Sequence, residues 1–286
     1  MRVQFSPPLV TFFLFAALAA GAQPPSNQKA GSPGAPDSAP VATTAPEGQI
    51  PDMQALVTGL EAAQRTNHEH MVAFSVTRQY ELFSGDEREP MGTVTAEVRF
   101  QPPITKTWEI KTTSGSARAE KVVKSVLERE AKYAREGKIA IAREHYDFRY
   151  DGTGEADRRP CYILQLVPKR DDGELLRGRI WVDRDTYLIH RFEGGLAKSP
   201  SWWIKDLKLF TTYGDLGGIW LTTSSKGVAD VRMVGPHTMT ERTLEYRASR
   251  PVVEGPAAEL ARLQPRPSRP YRPSPVAVEA GVVIGR

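Results

Sequence analysis

The 286-residue chain has a single cysteine, Cys161, so no disulfide can form within it. Its stability must come from a buried core, and a chain of this length is long enough to build one. Cys161 stands beside Tyr162 and Ile163 in a strand-like run and reads as a small core residue. No patterned histidine accompanies it to make a nucleophile. A membrane-length apolar run is also missing. Residues 9–20 are apolar but fall short of the roughly 20 residues a span requires. They follow a basic Arg2 and end in Ala20-Gly21-Ala22, the pattern of a secretory signal cleaved after Ala22. No cysteine follows, so the acylation signal of a bacterial lipoprotein is absent, and the mature chain is expected to be soluble and outside the cytoplasm.

Charge of one sign is scarce as well. The net charge is only +4, and no Lys/Arg-dense block with interleaved aromatics stands out. Nucleic acid is therefore disfavoured as a partner, while peripheral contact with anionic lipid headgroups stays open. Catalytic patterns are lacking too: there is no G-x-S-x-G elbow, P-loop, H-E-x-x-H or paired-cysteine metal motif. Asp183 and Asp185 flank a turn, where Asp belongs for backbone reasons. His145, His190 and His237 are isolated along the chain. His68-Glu69-His70 has no third ligand in pattern and reads as a solvated junction rather than a metal site. The expectation is a non-enzyme with no cofactor and no metal.

What the sequence has in abundance is alternation. In residues 178–194, Gly178, Ile180 and Val182 fall on one face and Arg179, Trp181 and Asp183 on the other. The pattern resumes after a short polar turn with Leu188, His190 and Phe192, which makes a β-hairpin. Residues 92–101 are the cleanest strand: Val94, Ala96, Val98 and Phe100 point one way, and Thr95, Glu97, Arg99 and Gln101 the other. Pro102-Pro103 stops it, and Ile104, Trp108 and Ile110 begin a return strand. Residues 73–83 alternate Phe74, Val76 and Tyr80 with polar Ser75, Thr77 and Arg78. Tyr146, Phe148 and Tyr150 form a strand ended by Asp151-Gly152, and residues 161–168 form another. In residues 201–213, Trp202, Ile204 and Phe210 are placed on one side, with Trp203, Leu207 and Leu209 on the other. The exposed ring of the Trp202-Trp203 pair either touches lipid or a partner, or packs under a covering helix. Residues 219–231 and 238–247 complete the set.

Two helices interrupt the strands. Residues 50–67 carry the stripe Met53, Leu56, Val57, Leu60 and Ala63, with Pro51 in the first turn. Residues 116–136 start at a Ser116 cap and carry Val122, Val123, Val126, Leu127, Ala131 and Ala134 on one face. Lys121, Lys124, Glu128, Arg129, Glu130 and Lys132 are assigned to the opposite, polar side. This helix must lay its apolar stripe over the sheet, as a fixed buttress or a movable lid.

The fold class is therefore α+β, mainly antiparallel β: a strongly curved, half-open barrel of about ten sequentially paired strands with an N-terminal helix and an internal covering helix. Residues 1–22 are the signal and 23–48 a Pro/Ala/Gly/Ser-rich linker expected to be disordered. Residues 49–250 form the domain, and 251–286 a Pro/Arg-rich flexible tail. The inward candidates for lining an apolar cavity are Val94, Ala96, Val98, Phe100, Trp108, Ile110, Ile180, Val182 and Phe210, covered by Val122, Val123, Val126 and Leu127.

The order of elements, with the stretches VTAEVRFQPPITKTW (94–108), GEADRRPCYILQLVP (154–168) and residues 178–194, resembles the bacterial LolA/LolB-type outer-membrane lipoprotein-sorting proteins. That resemblance implies a periplasmic carrier whose helical lid shelters the acyl chains of a lipoprotein or lipid, with envelope proteins as further partners. It also implies an arginine, preceding a proline, that latches the lid. Here Pro102-Pro103 occupies that place and Arg99 is the nearest arginine. Two other readings remain beside the carrier: an exported sensor or scaffold half-barrel binding a protein or polysaccharide, and a hydrolase on a β scaffold.

Overall fold

Alternating strands with one apolar face need a common interior, and here a single sheet wraps around it. The computed structural model describes residues 51–249 apart from 86, 137–140, 172, 174, 200 and 201, together with residue 260. The signal, the linker and nearly all of the tail expected from the sequence lie outside these residues. The described elements are α1 (Met53–Glu69), β1 (Phe74–Ser84), β2 (Gly92–Gln101), β3 (Thr105–Gly115), α2 (Ala117–Glu136), β4 (Tyr146–Ala156), β5 (Arg159–Pro168), β6 (Leu176–Asp183), β7 (Ile189–Leu196), β8 (Ile204–Asp215), β9 (Trp220–Val231) and β10 (Gly235–Ala248).

The ten strands form one antiparallel sheet in the order β3-β2-β1-β10-β9-β8-β7-β6-β5-β4. Chain neighbours pair throughout except at α2. There β3 and β4 part company and become the two edges, which leaves the barrel half open. The long-range closure is β1 on β10, paired from Phe74 opposite Ala248 to Ser84 opposite His237 with a register shift between Thr77 and Arg78.

Helix α1 is capped by Asp52, whose side chain accepts from the backbone N–H groups of Gln54 and Ala55 at 2.9 and 3.3 Å. Pro51 thus precedes the cap instead of occupying the first turn. The stripe Leu56, Val57, Leu60 and Ala63 is buried and extends to Asn67. The Asn67 amide donates to the Trp220 carbonyl and accepts from the Trp220 N–H, both at 2.9 Å, tying α1 to the start of β9. One contiguous core draws on both helices and all ten strands.

Three strand expectations need correction. β4 does not end at Asp151-Gly152: a register shift between Tyr150 and Thr153 absorbs those residues as a bulge, and the strand runs on to Ala156. Trp202 and Trp203 are not strand residues facing opposite ways. They sit in the turn before β8 with their rings stacked 3.8 Å apart, and Trp202 is 68% exposed. A second bulge, between Ile204 and Asp206, resets the phase of β8, so that Leu207, Leu209, Thr211 and Tyr213 point inward. Phe210, expected inside, lies on the outer face and is 41% exposed.

The β6–β7 turn is built as its sequence suggests. Asp183 Oδ1 accepts from the backbone N–H groups of Asp185 and Thr186 at 2.8 and 2.9 Å, and Arg159 Nε donates to Oδ2 at 2.8 Å. Burial would raise the Asp183 carboxyl, but His190, Arg159 and these two N–H groups outweigh it and hold it well below the usual carboxylate range. Cys161 is buried in a small cluster with Ala156 and Trp181, and burial pushes its thiol up to about 11. An inert packing residue is the consequence.

Candidate functional site

The inner face of the sheet is where the sequence placed its candidates. Val94, Ala96, Val98 and Phe100 of β2 all point inward and are buried, as are Ile180 and Val182 of β6. Trp108 and Ile110 of β3 face the same way but are only half-buried, because β3 is an edge strand. Phe210 is the one member that does not join them. Helix α2 crosses this face on β3, β2 and β1. Its Val122, Val123, Val126 and Leu127 are each 1% exposed or less, so the space beneath α2 is filled by its own side chains.

The entry to α2 is tightly built. Ser116 caps the helix through the Arg118 N–H at 3.2 Å, and the Ser116 N–H donates to the Met91 carbonyl at 2.9 Å. Gly115 turns the chain with φ +77°, which a side chain rarely adopts. At Gly92 a Cβ would come within 2.6 Å of the Ala119 Cβ, so glycine lets the first turn of α2 lie directly on β2.

Within this apolar interface lies a cluster of charges that the sequence reading put elsewhere. Arg78 of β1, expected on the polar face, and Glu130, expected on the polar side of its helix, are both buried. Arg78 Nη1 donates to both carboxylate oxygens of Glu130, at 3.1 and 3.0 Å. Lys106 Nζ, from β3, donates to Glu130 Oε1 as well. On the far side Arg78 Nε lies 3.2 Å from Glu241 Oε1 of β10. The side chains of all four residues are nearly inaccessible to solvent. Arg99, the nearest counterpart of the expected latch, is instead on the outer face with Glu97 and Glu109, at 2.6 and 3.3 Å. The arginine that holds the covering helix is Arg78.

The charges titrate unusually because they share one small volume. Burial would raise Glu130, but Arg78 and Lys106 outweigh it and hold its carboxyl down at about 2. Burial pulls Lys106 down to about 8 even though Glu130 opposes the change, since Arg78 repels the ammonium. Burial, opposed in part by Arg78, pushes Glu241 up to about 7. Beside them stand buried groups that lack a well-formed hydrogen bond, Glu241 Oε2 and the Tyr213 hydroxyl. Tyr80 lies beside Arg78 and Glu241, and Tyr213 beside Glu241.

A detectable signal was present. Arg78 is in phase with Phe74, Val76, Tyr80 and Leu82, and Glu130 falls on the repeat Ala119, Val122, Val123, Val126, Leu127. Lys106 shares the parity of Trp108 and Ile110. Charged residues standing in apolar phase were the clue.

No protein-family model matches the chain, and no curated protein matches it. Among solved structures it is similar to an outer membrane lipoprotein-sorting protein domain from Vibrio parahaemolyticus: 14% identical, covering 68% of this chain and 93% of that one, with a TM-score of 0.36. A DUF1329 family protein from Desulfovibrio piger is 16% identical over 67% and 92%, with a TM-score of 0.37. A LolA superfamily protein from Nitrosomonas europaea is 10% identical over 69% and 93%, with a TM-score of 0.34.

Proposed function

We propose that this chain is a non-catalytic binder or carrier of acyl chains in the cell envelope, of the lipoprotein-sorting type, with α2 as a cover that an acyl guest displaces. The observation that carries the reading is the Arg78–Glu130–Lys106 contact between α2 and the sheet. An interface needed only for stability is better filled with apolar side chains, because burying ions costs several kcal/mol each that their attraction only partly offsets. A charge-paired pin in an apolar seam suits a helix that is held and released.

The exchange is balanced in magnitude. Removing Val122, Val123, Val126 and Leu127 from the inner face forfeits roughly 1.5–3 kcal/mol apiece, and a guest chain returns roughly 0.8 kcal/mol per buried methylene. A chain of about ten methylenes therefore replaces the helix stripe at similar free energy. No helix among the described residues is long and apolar enough to cross a membrane. Mass spectrometry of the protein purified gently from its native envelope is expected to find a co-purifying lipid or acylated peptide. Absence of any guest, together with no uptake of a fluorescent acyl probe, would sink the reading.

One observation favours a second reading, a scaffold that binds an envelope protein. The inner face is filled by the chain's own side chains, while Trp202, Met233 and Val234 are exposed at one end of the sheet. The Arg232 backbone N–H donates to the Trp203 carbonyl and its Nε to the Trp202 carbonyl, both at 2.7 Å, which joins these two turns. If crosslinking through Trp202 captures a protein while no acyl guest binds, the scaffold reading stands in place of the carrier.

A further inference from the structure

The buried charges also say which guest the inner face accepts, if the carrier reading on which this rests is right. Arg78 and Lys106 belong to the sheet, whereas Glu130 travels with α2. When the helix leaves, it takes with it the carboxylate that neutralises both cations. Their one remaining acidic neighbour among the described residues is then Glu241, a single carboxyl for two cations. One carboxyl cannot neutralise two cations, and a charge left unpaired in an apolar cleft is destabilising.

The geometry points to an anionic amphiphile as the ligand: an acyl chain ending in a carboxylate or phosphate, whose head replaces Glu130 between Arg78 and Lys106. The helix itself has the outline of such a molecule. Glu130 is the acidic head, and Leu127, Val126, Val123, Val122 and Ala119 trail behind it as an apolar tail about 12 Å long at 1.5 Å per residue. The wall receiving the tail is apolar too, since Ala96 pairs with Arg78 across the strands and Phe100 with Lys106. The Tyr80 hydroxyl beside Arg78 and the Tyr213 hydroxyl beside Glu241 are further donors for head oxygens. An uncharged alkyl alcohol fills the same cleft but leaves both cations unpaired, and an alkylammonium adds a third.

The test titrates delipidated full-length protein, by calorimetry below micellar concentration, with dodecanoate, dodecyl phosphate, dodecanol, dodecyltrimethylammonium and inorganic phosphate. Both anionic chains are expected to bind at least tenfold more tightly than dodecanol. The ammonium and inorganic phosphate are expected to bind at least a hundredfold more weakly than dodecyl phosphate. Glu130→Gln tightens the anions and dodecanol alike, because all of them displace α2, and Arg78→Met removes the preference for anions. Equal affinity for anion and alcohol overturns the head-group assignment and leaves the carrier reading intact. Absence of binding by every alkyl compound overturns the carrier reading, and this inference with it. Inorganic phosphate binding as tightly as dodecyl phosphate makes the site one for a free anion and overturns the amphiphile. Should Arg78→Met fail to fold, carboxyl-13C dodecanoate decides on wild-type protein. Its bound resonance stays at the ionised position at about pH 4, where a free carboxylate has largely taken up its proton; a resonance that titrates as in water overturns the contact.

Discussion

Arg78 of β1 and Glu130 of α2 meet through one guanidinium nitrogen lying 3.1 and 3.0 Å from the two carboxylate oxygens, inside an interface that is otherwise apolar. The two residues are 52 positions apart, so the contact exists only because α2 folds back over the strands that precede it. Lys106 and Glu241 complete the set, and each member depends on the others for its ionisation state.

Removing one partner leaves the rest unpaired. Glu130→Ala strands Arg78 and Lys106 beneath α2, and a loss of about 3–5 kcal/mol is expected in urea unfolding. Replacing Arg78, Lys106 and Glu130 together by Met, Met and Leu is expected to recover most of that loss, because an apolar seam of similar volume needs no ion pairing. A single variant within about 1 kcal/mol of wild type, inside the range of surface pairs, contradicts the burial described.

Glu241 gives the cluster a pH signature. Its folded-state value of about 7 lies above the unfolded carboxyl value of 4.5, so the folded chain holds this proton more tightly. The stability this provides is complete below pH 4.5 and is lost as pH rises through 7. Glu130, at about 2, and Lys106, at about 8, titrate outside that interval. Glu241→Gln keeps a neutral group at every pH. Its stability relative to wild type is expected to rise between pH 4.5 and 7, by at most about 1.4 kcal/mol per pH unit. A difference that is flat across this interval in paired thermal melts would show that Glu241 is not buried as a carboxyl.

Two phenylalanines that look alike in the sequence are expected to behave differently. Phe100 is buried on β2, and Phe100→Ala is expected to cost about 3–5 kcal/mol by creating a cavity. Phe210 is on the outer face, and Phe210→Ala is expected to stay within about 1 kcal/mol of wild type, as surface changes do. Denaturant midpoints of the two variants decide which way β8 faces.

That contrast marks the limit of reading by alternation. β2 was legible to the residue, because nothing interrupts its period of two and Pro102-Pro103 ends it. Both helices and the ten-strand count were legible for the same reason. A bulge leaves no clear trace in local composition, so the phase of β8 was lost between Ile204 and Asp206, and Phe210 with it. The β1–β10 closure joins residues more than 150 positions apart, and no local pattern specifies it. At the site the apolar lining was visible in advance, but the charged cluster was not. Arg78, Lys106 and Glu130 are ordinary surface types, and only their position in the apolar phase reveals that they are inside.

The last expectation concerns motion, which distinguishes a cover from a buttress. α2 packs on β1, β2 and β3 at one end of the sheet, whereas β1, β2 and β10 are held by pairing on both sides. Amide protons of α2 are therefore expected to exchange through a local opening of lower free energy than those of the central strands. Glu130→Gln weakens the pin without changing its shape, so it is expected to speed exchange across α2 by roughly tenfold or more, as a loss of about 1.5–3 kcal/mol for a charged hydrogen bond implies. The β1, β2 and β10 amides are expected to keep their wild-type rates. Should α2 and these strands exchange together in both proteins, the helix opens only on global unfolding. The pin is then structural, and an acyl guest has no route to the inner face.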